Sequence, residues 1–480
     1  MNGQSNSAKV NHLIREGQSL SSALNTRWQN LCEMFLPFNQ NGSIWRHSRD
    51  FARTDPKQGW KLHIAATVLN ANDVLAAVGP FLLERKVLFK GPCSLYELSK
   101  MNTGIQYGYT QLGKCFTIYP RTTPEAVSLA QSLDQLTKGT DAPAIPFDQR
   151  LRPGSSVYYR YGAFVRQEMQ LEDRTVFAIQ NPRGELVQDK RSSLQFPEWV
   201  ADPFPRQTQK RTNTDNPLKT TFRVLRALSQ RGKGGVYQAI DFSASSPRLC
   251  ILKEGRKGGE LGWDGSDGYS RVKKEQEILM RLRALGICVP LVYASFEVDG
   301  HFYLVTEFLQ GITLQNLLNR RKRRLPVKCV LKFSEEVARL LQALHSVGWS
   351  WRDCKPANLL VTHEGIMRPF DFEGAGPIED VNQTPWGTPA FIPPEFGQLE
   401  NSRDGRAADL YALGVLMYYL LTGQYPSRSA VVRAGKLRRH LSLELEELVS
   451  QLLNIVPQQR PSAAQVVAHL NRANHILNHT

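Results

Sequence analysis

The stretch "WRDCKPANLL", Trp351–Leu360, constrains this chain more than any other. Asp353 is followed two positions later by Lys355 and five positions later by Asn358. That spacing gives one loop three tasks in phosphoryl transfer. Asp353 orients an attacking hydroxyl and accepts its proton, Lys355 neutralises the transferring group, and Asn358 holds a metal ion. Downstream, "RPFDFEG" supplies Asp371 as a second metal ligand on a strand–loop junction. Upstream, "RLCILKEG" sets Lys253 in a short apolar strand, where a buried lysine needs an anion. Glu275, in the helical run "SRVKKEQEILMRL", can supply it and so position Lys253 against nucleotide phosphates. Strand patterns run from the region of Phe222 to about Phe308, and helical patterns dominate beyond it.

In this order the features resemble the protein-kinase superfamily from about Phe222 to Leu470. "TEFLQG", Thr306–Gly311, is similar to that family's inter-lobe hinge, and the resemblance implies nucleotide contacts at Glu307 and Leu309. "GTPAFIPPE" (Gly387–Glu395) resembles the end of an activation segment, and "DLYALGVLMYYLLTG" (Asp409–Gly423) the buried helix of the C-lobe. Arg460 resembles the arginine that pairs with Glu395. The implied cofactors are ATP or GTP with Mg2+. Three departures stand out. With Val236 as anchor, the loop "LSQRGKGGVYQA" has only Gly234 on a usual glycine position, while Gly232 and Gly235 are out of register. Trp351 replaces a histidine whose family role is to pack the loop, a task a bulky apolar residue can perform. Glu373 replaces a glycine. Thr384 and Thr388 are the only hydroxyl residues between Asp371 and Glu395. Glu373, Glu379 and Asp380 are expected to stand in for a phosphate near Arg352, so activity should need no activation-loop phosphorylation.

The N-terminal half carries a different pattern. Strand-like runs "GWKLHIAA", "KVLFKG", "KCFTIYP" and "SVYYRYGAF" alternate with helical runs over Leu69–Leu83 and Pro124–Leu136, predicting an α+β domain. Residues 1 to about 50 read as helical and polar. In "GWKLHIAA", alternation turns Trp60, Leu62 and Ile64 to a core and Lys61 with His63 to the other face. Lys90 ends the next strand. Two lysines and a histidine on one surface bind a dianion well, and histidine can give up a proton. The pattern alone equally fits an amphipathic strand with a wet face, and Lys114 and Arg160 in their aromatic strands fit snorkelling cations.

The runs "QGWKLHIAATVLNANDVL", "FKGP", "GKCFTIYP", "YYRYGAF" and "DPF" resemble the lyase domain of class III lanthipeptide synthetases, itself similar to effector-type phosphothreonine lyases. The glycine-rich insert after Lys253 is similar to that family's kinase. The family phosphorylates Ser and Thr of a ribosomal precursor peptide and eliminates the phosphate to leave dehydroalanine or dehydrobutyrine. The resemblance implies that Lys61 grips the phosphate, His63 protonates the departing group and Lys90 removes the α-proton. Lys114 and Arg160 are expected to add phosphate contacts. Family members continue into a cyclase domain; this sequence stops at Thr480, so ring closure is expected to fall to another protein or to none.

Bulk properties bound the alternatives. The chain has 480 residues, room for two or three domains. No apolar run spans a bilayer and no secretory signal opens the sequence. The seven cysteines are scattered, without metal-ligand spacing, so a reducing cytoplasm is expected. The net charge of +16 points to an acidic partner, here a precursor peptide with an acidic leader. Basic clusters lie at Arg320–Arg324, Arg433–Arg439 and, more loosely, Arg206–Arg211. None is interleaved with aromatics, which disfavours nucleic acid. The expected domains are a lyase-like part over 1–204, a linker over 205–219 and a bilobal kinase-like part over 220–480. The competing readings are a signalling Ser/Thr kinase with a non-catalytic N-terminal sensor, and a pseudokinase scaffold.

Overall fold

The computed structural model describes residues 20–39, 42–204, 216–321, 323–379, 387–397, 404–426 and 441–479. It mixes helix and sheet throughout, with a sheet-based N-terminal domain followed by a bilobal kinase-type domain. Its described residues form two compact units. One holds those up to Val272 together with Ser295–Leu304; the other holds Lys273–Ala294 and those from Val305 onward. No helix among the described residues is long and apolar enough to cross a membrane.

The first unit is built on a seven-stranded sheet. Its strands are β1 (Phe38–Asn39), β2 (Trp45–His47), β3 (Gln58–Ala65), β4 (Leu88–Pro92), β5 (Lys114–Tyr119), β6 (Gln149–Arg150) and β7 (Val157–Ala163), in the spatial order β1-β2-β4-β5-β3-β7-β6. All pairs are antiparallel. Helices Ala71–Glu84 and Thr123–Leu136 carry apolar residues into the same core as Trp60, Leu62 and Ile64. Trp60 sits edge-on to Tyr159, Tyr161, Phe196 and Phe204, which fixes the segment after the sheet against it. A second, three-stranded sheet follows, from β8 (Glu168–Leu171), β9 (Arg174–Gln180) and β10 (Leu186–Gln188).

One expectation is corrected here. Residues 20–35 are helical but not polar all round, since Trp28 and Cys32 are wholly buried and Phe35 nearly so. Beyond them, β1 and β2 are strands, not helix. Strands of two and three residues carry no readable period, and β2 is specified by its pairing with the distant β4. Of the expected linker, 205–215 lie outside the described residues, and Pro217–Thr220 forms a helical turn capped by the Asn216 side chain.

The kinase-type part opens with a five-stranded sheet in the order β11 (Phe222–Arg231), β12 (Gly234–Asp241), β13 (Arg248–Gly255), β15 (His301–Glu307), β14 (Val292–Val298). The tip between β11 and β12 rests on the N-terminal domain within the same unit. The Gly232 N–H donates to the Thr103 carbonyl at 2.9 Å, and Arg256 Nη1 donates to Tyr109 Oη at 2.6 Å. A Cβ on Gly232 would lie 1.7 Å from the Asn102 carbonyl oxygen, so only glycine fits.

The second unit is helical. Helix Gly405–Thr422 is buried nearly all round, begins at an Asp404 side chain that accepts from the Arg406 N–H, and ends at left-handed Gly423. The amphipathic helix Val327–Ser346 packs against it and against Ala463–His479. Arg460 forms a two-pronged pair with Glu395 at 2.6 and 2.8 Å, both side chains buried.

Candidate active site

In the second unit the loop Trp351–Asn358 closes on itself. Asp353 Oδ2 accepts from Lys355 Nζ and from Asn358 Nδ2, each at 2.8 Å. Lys355 Nζ also donates to Thr388 Oγ1 at 3.0 Å. The other Asp353 oxygen, Oδ1, is buried and has no hydrogen-bond partner among the described residues, so it can accept from a substrate hydroxyl. Burial, with Asp371 adding to it, pushes the Asp353 carboxyl up against the opposing pull of Lys355, so its proton affinity exceeds that of an exposed aspartate. Trp351 packs this loop: fully buried, it stacks on Phe372 and its Nε1 donates to the Asp371 carbonyl at 3.2 Å. Asp409 receives the N–H groups of Trp351 and Arg352 at 2.9 and 2.6 Å, anchoring the loop on the buried helix.

Asp371 has left-handed backbone, φ 63°, as does Arg352 at φ 68°. Glu275 is buried and accepts from the Phe372 N–H at 3.4 Å. Glu307 faces Arg368 at 3.3 Å and pairs with Leu291 through its backbone N–H; Leu309 is half-buried. Asn358 and Asp371 offer oxygen donors suited to Mg2+, which takes one or two protein ligands and completes its shell with water and substrate phosphates.

In the first unit, Lys253 stands on β13 opposite Val236 of β12. Gly234 adopts φ 149°, and a Cβ there would strike the Glu254 carbonyl at 1.7 Å. Gly235 lies against the Tyr237 ring. Asp380 and Thr384 lie outside the described residues, as do the clusters Arg206–Arg211 and Arg433–Arg439. Glu379 is exposed and Glu373 buried, while Arg352 Nη1 donates to the Gly374 carbonyl at 3.2 Å. Arg320, Arg321, Arg323 and Arg324 are exposed.

The N-terminal sheet gathers the other set of residues. Register puts Lys61 opposite Arg160, His63 opposite Thr117 and Tyr158, and Lys90 opposite Thr117. A cleft of about 230 Å³ opens on that face, lined by Lys61, His63, Lys90, Lys114, Arg160 and Arg191 among others. Lys90 Nζ sits 4.1 Å over the Trp45 ring, and Lys61 Nζ 5.9 Å over Tyr119. Burial, with Arg191 and Lys114 beside it, pushes the Lys90 amine down to about 8. Burial does the same to Lys61, with Arg160, Arg191 and Lys90 adding repulsion.

Two carboxylates that stand in no motif hold this cation cluster. Asp148 bridges His63 Nδ1 at 2.5 Å and Lys114 Nζ at 3.0 Å. The first contact is close but lacks the angle of a formed hydrogen bond. Asp189 holds Arg160 and, at 3.3 Å, Arg191. Burial pushes the Asp148 carboxyl up, but His63, Lys114 and Arg160 outweigh it and bring it to about 2. Burial drives the His63 imidazole down to about 3, only partly opposed by Asp148. His63 is therefore neutral at neutral pH. Asp148 sits in "PFDQR" and Asp189 in "VQDKR", surface-like polar strings whose burial is decided by the fold.

Comparison with known proteins adds two family matches. The model for the RamC N-terminal domain matches residues 38–216, and that for the protein kinase domain matches residues 225–470, just over half of the chain. A probable SapB synthase of Streptomyces coelicolor is 30% identical over 411 residues, covering 82% of this chain and 42% of that protein. Serine/threonine-protein kinase F of a Synechocystis strain is 29% identical over 294 residues, 54% of this chain and 57% of that one. A cAMP-dependent protein kinase catalytic subunit-like protein of Caenorhabditis elegans is 29% identical over 198 residues, 39% of this chain and 48% of its own. The chain thus spans less than two thirds of each of these relatives.

Proposed function

This chain belongs to the protein kinase family, and from that premise we propose that it is a bifunctional dehydratase. The kinase part phosphorylates Ser or Thr of a ribosomally made precursor peptide, with an acidic leader, and the N-terminal domain eliminates the phosphate to leave dehydroalanine or dehydrobutyrine. The observation that carries this reading is the buried cleft joining Lys61, His63 and Lys90 on one sheet face. A non-catalytic sensor has no need of two lysines and a histidine gathered in one cleft. The similarity to a SapB synthase runs through both domains and supports the same pairing of activities.

Asp353 accepts the proton of the attacking hydroxyl at its free Oδ1, and Lys355 balances charge on the transferring group. Asn358 and Asp371 would hold Mg2+, which with ATP supplies the phosphoryl group in an activated form. For the nucleotide, the candidates in one unit are Lys253 and the segment Gly232–Val236, suited to phosphates; those in the other are Glu275 and the Glu307–Leu309 backbone.

In the cleft, hydroxide is a poor leaving group and phosphate a good one. Lys61, with Lys114 and Arg160, takes the phosphate oxygens. Neutral Lys90 removes the Cα proton; that electron pair forms the Cα=Cβ bond, and the Cβ–O bond breaks. The incoming dianion raises the affinity of His63 for a proton, which His63 takes from solvent and passes to the departing phosphate oxygen, while Lys90 keeps the proton from Cα. Incubating the full chain carrying Asp353→Ala with a synthetic phosphoserine peptide tests the reading. Dehydroalanine should form without ATP, while the unphosphorylated peptide stays unchanged even with ATP and Mg2+. A phosphopeptide recovered intact would reduce the protein to a kinase alone.

A further inference from the structure

Arg191 lies three residues past β10, in a stretch of turn residues with no motif. Its guanidinium carbon sits 3.7 Å over the Phe177 ring of β9, and its Nε donates to Asp189 Oδ2 at 3.3 Å. Its terminal amino groups make no hydrogen bond to a described residue, and the side chain lines the cleft with Lys61, Lys90 and Tyr119. The stack on Phe177 and the bond to Asp189 fix the plane of the guanidinium, which removes much of the entropy a free arginine would lose on binding. Asp189 is itself almost wholly buried and also holds Arg160, so one carboxylate orients two guanidinium groups toward one cleft.

The charge balance defines the ligand. Lys61, Lys90, Lys114, Arg160 and Arg191 meet two buried carboxylates, Asp148 and Asp189. Asp148 is shared by Lys114 and His63, and Asp189 by the two arginines. With Lys90 neutral as the base, the other four cations exceed the two carboxylates by two charges, which matches a dianion, and a guanidinium whose amino groups bond no described residue suits paired phosphate oxygens. We propose that Arg191 contacts the phosphate directly, as a binding residue for phosphomonoester dianions that the small β8–β10 sheet delivers to the cleft. This assignment rests on the lyase reading above and extends it to a segment outside the seven-stranded sheet. Arg191 also adds to the repulsion that keeps Lys90 low, so its loss should change the pH response as well as binding.

The test uses the full chain without nucleotide, as wild type, Arg191→Gln and Arg191→Lys. Inorganic phosphate binding is measured by titration calorimetry, and elimination from a synthetic phosphoserine peptide is followed against pH. Kinase activity of each variant with ATP verifies folding. Arg191→Gln should weaken phosphate binding and raise KM by about 10- to 100-fold, and should move the acid limb of elimination to higher pH. Arg191→Lys should keep that limb near its wild-type position while recovering only part of the binding. Equal phosphate affinity and KM in wild type and Arg191→Gln would overturn the assignment, as would a wild-type chain that binds no phosphate. Phosphate bound by wild type but weakly by Arg191→Gln, with no elimination by either, would uphold the Arg191 contact and sink the lyase reading.

Discussion

His63 and Lys114 share one carboxylate: Asp148 reaches His63 Nδ1 through one oxygen and Lys114 Nζ through the other. Two residues that line the cleft are thus held at a set spacing by a carboxylate that does not line it. Replacing Asp148 with Asn removes the charge but keeps the shape. It leaves the buried Lys114 uncompensated and lowers the proton affinity of His63 further. Elimination should fall by about 10²-fold or more, with phosphorylation unchanged, so the phosphate ester accumulates in mass spectra of the peptide.

If Lys90 is the base, as proposed, it should set the pH response of elimination. An amine acts as a base only when neutral, and this one is lowered to about 8. Elimination should therefore rise with pH through that value, only about a tenth of Lys90 being neutral at pH 7. Lys90→Ala should abolish the step and stall the peptide as its phosphate ester. Dehydration of the peptide by that variant at the wild-type rate would assign the base elsewhere.

The pair Arg460–Glu395 gives a handle on one activity alone. Both side chains are buried, and breaking such a pair by truncating one partner costs about 3–5 kcal/mol. Arg460→Ala should lower the thermal midpoint and the phosphorylation rate while leaving elimination from a supplied phosphopeptide in place. A variant with wild-type melting would show the pair to be dispensable.

Gly232 admits no side chain, since a Cβ would overlap the Asn102 carbonyl. Gly232→Val should destabilise the protein by about 2 kcal/mol or more, read as a fall in melting temperature. Gly265, whose Cβ position is open, offers a control: Gly265→Asn suits its left-handed φ of 77° and should change little.

Much of this was legible in the sequence because strand alternation is a local rule. Lys61 and His63 fall opposite Trp60, Leu62 and Ile64 whatever the strand pairs with. The spacing of Asp353, Lys355 and Asn358 is likewise confined to one loop. What stayed hidden depends on distant pairing. Asp148 and Asp189 become buried only when their segments fold back on the sheet, Arg191 arrives from an irregular stretch after β10 with no motif, and β2 is placed in the sheet by its pairing with the distant β4. The irregular glycines gain a meaning the same way. Gly232, out of register as a phosphate-loop glycine, is a contact residue against Asn102.

That contact bears on how this protein can be dissected. Asn102, pressed against Gly232, also takes the Gly113 N–H next to Lys114 and donates to the Ala66 carbonyl at the end of β3. A scissor cut between residues 204 and 222 would bare the Thr103 carbonyl, the Leu112 side chain and the Tyr109 hydroxyl in one fragment, and strip the hairpin tip of its seat in the other. Neither fragment would inherit the surface on which the whole chain relies, so the two halves are better silenced by point changes than by separation.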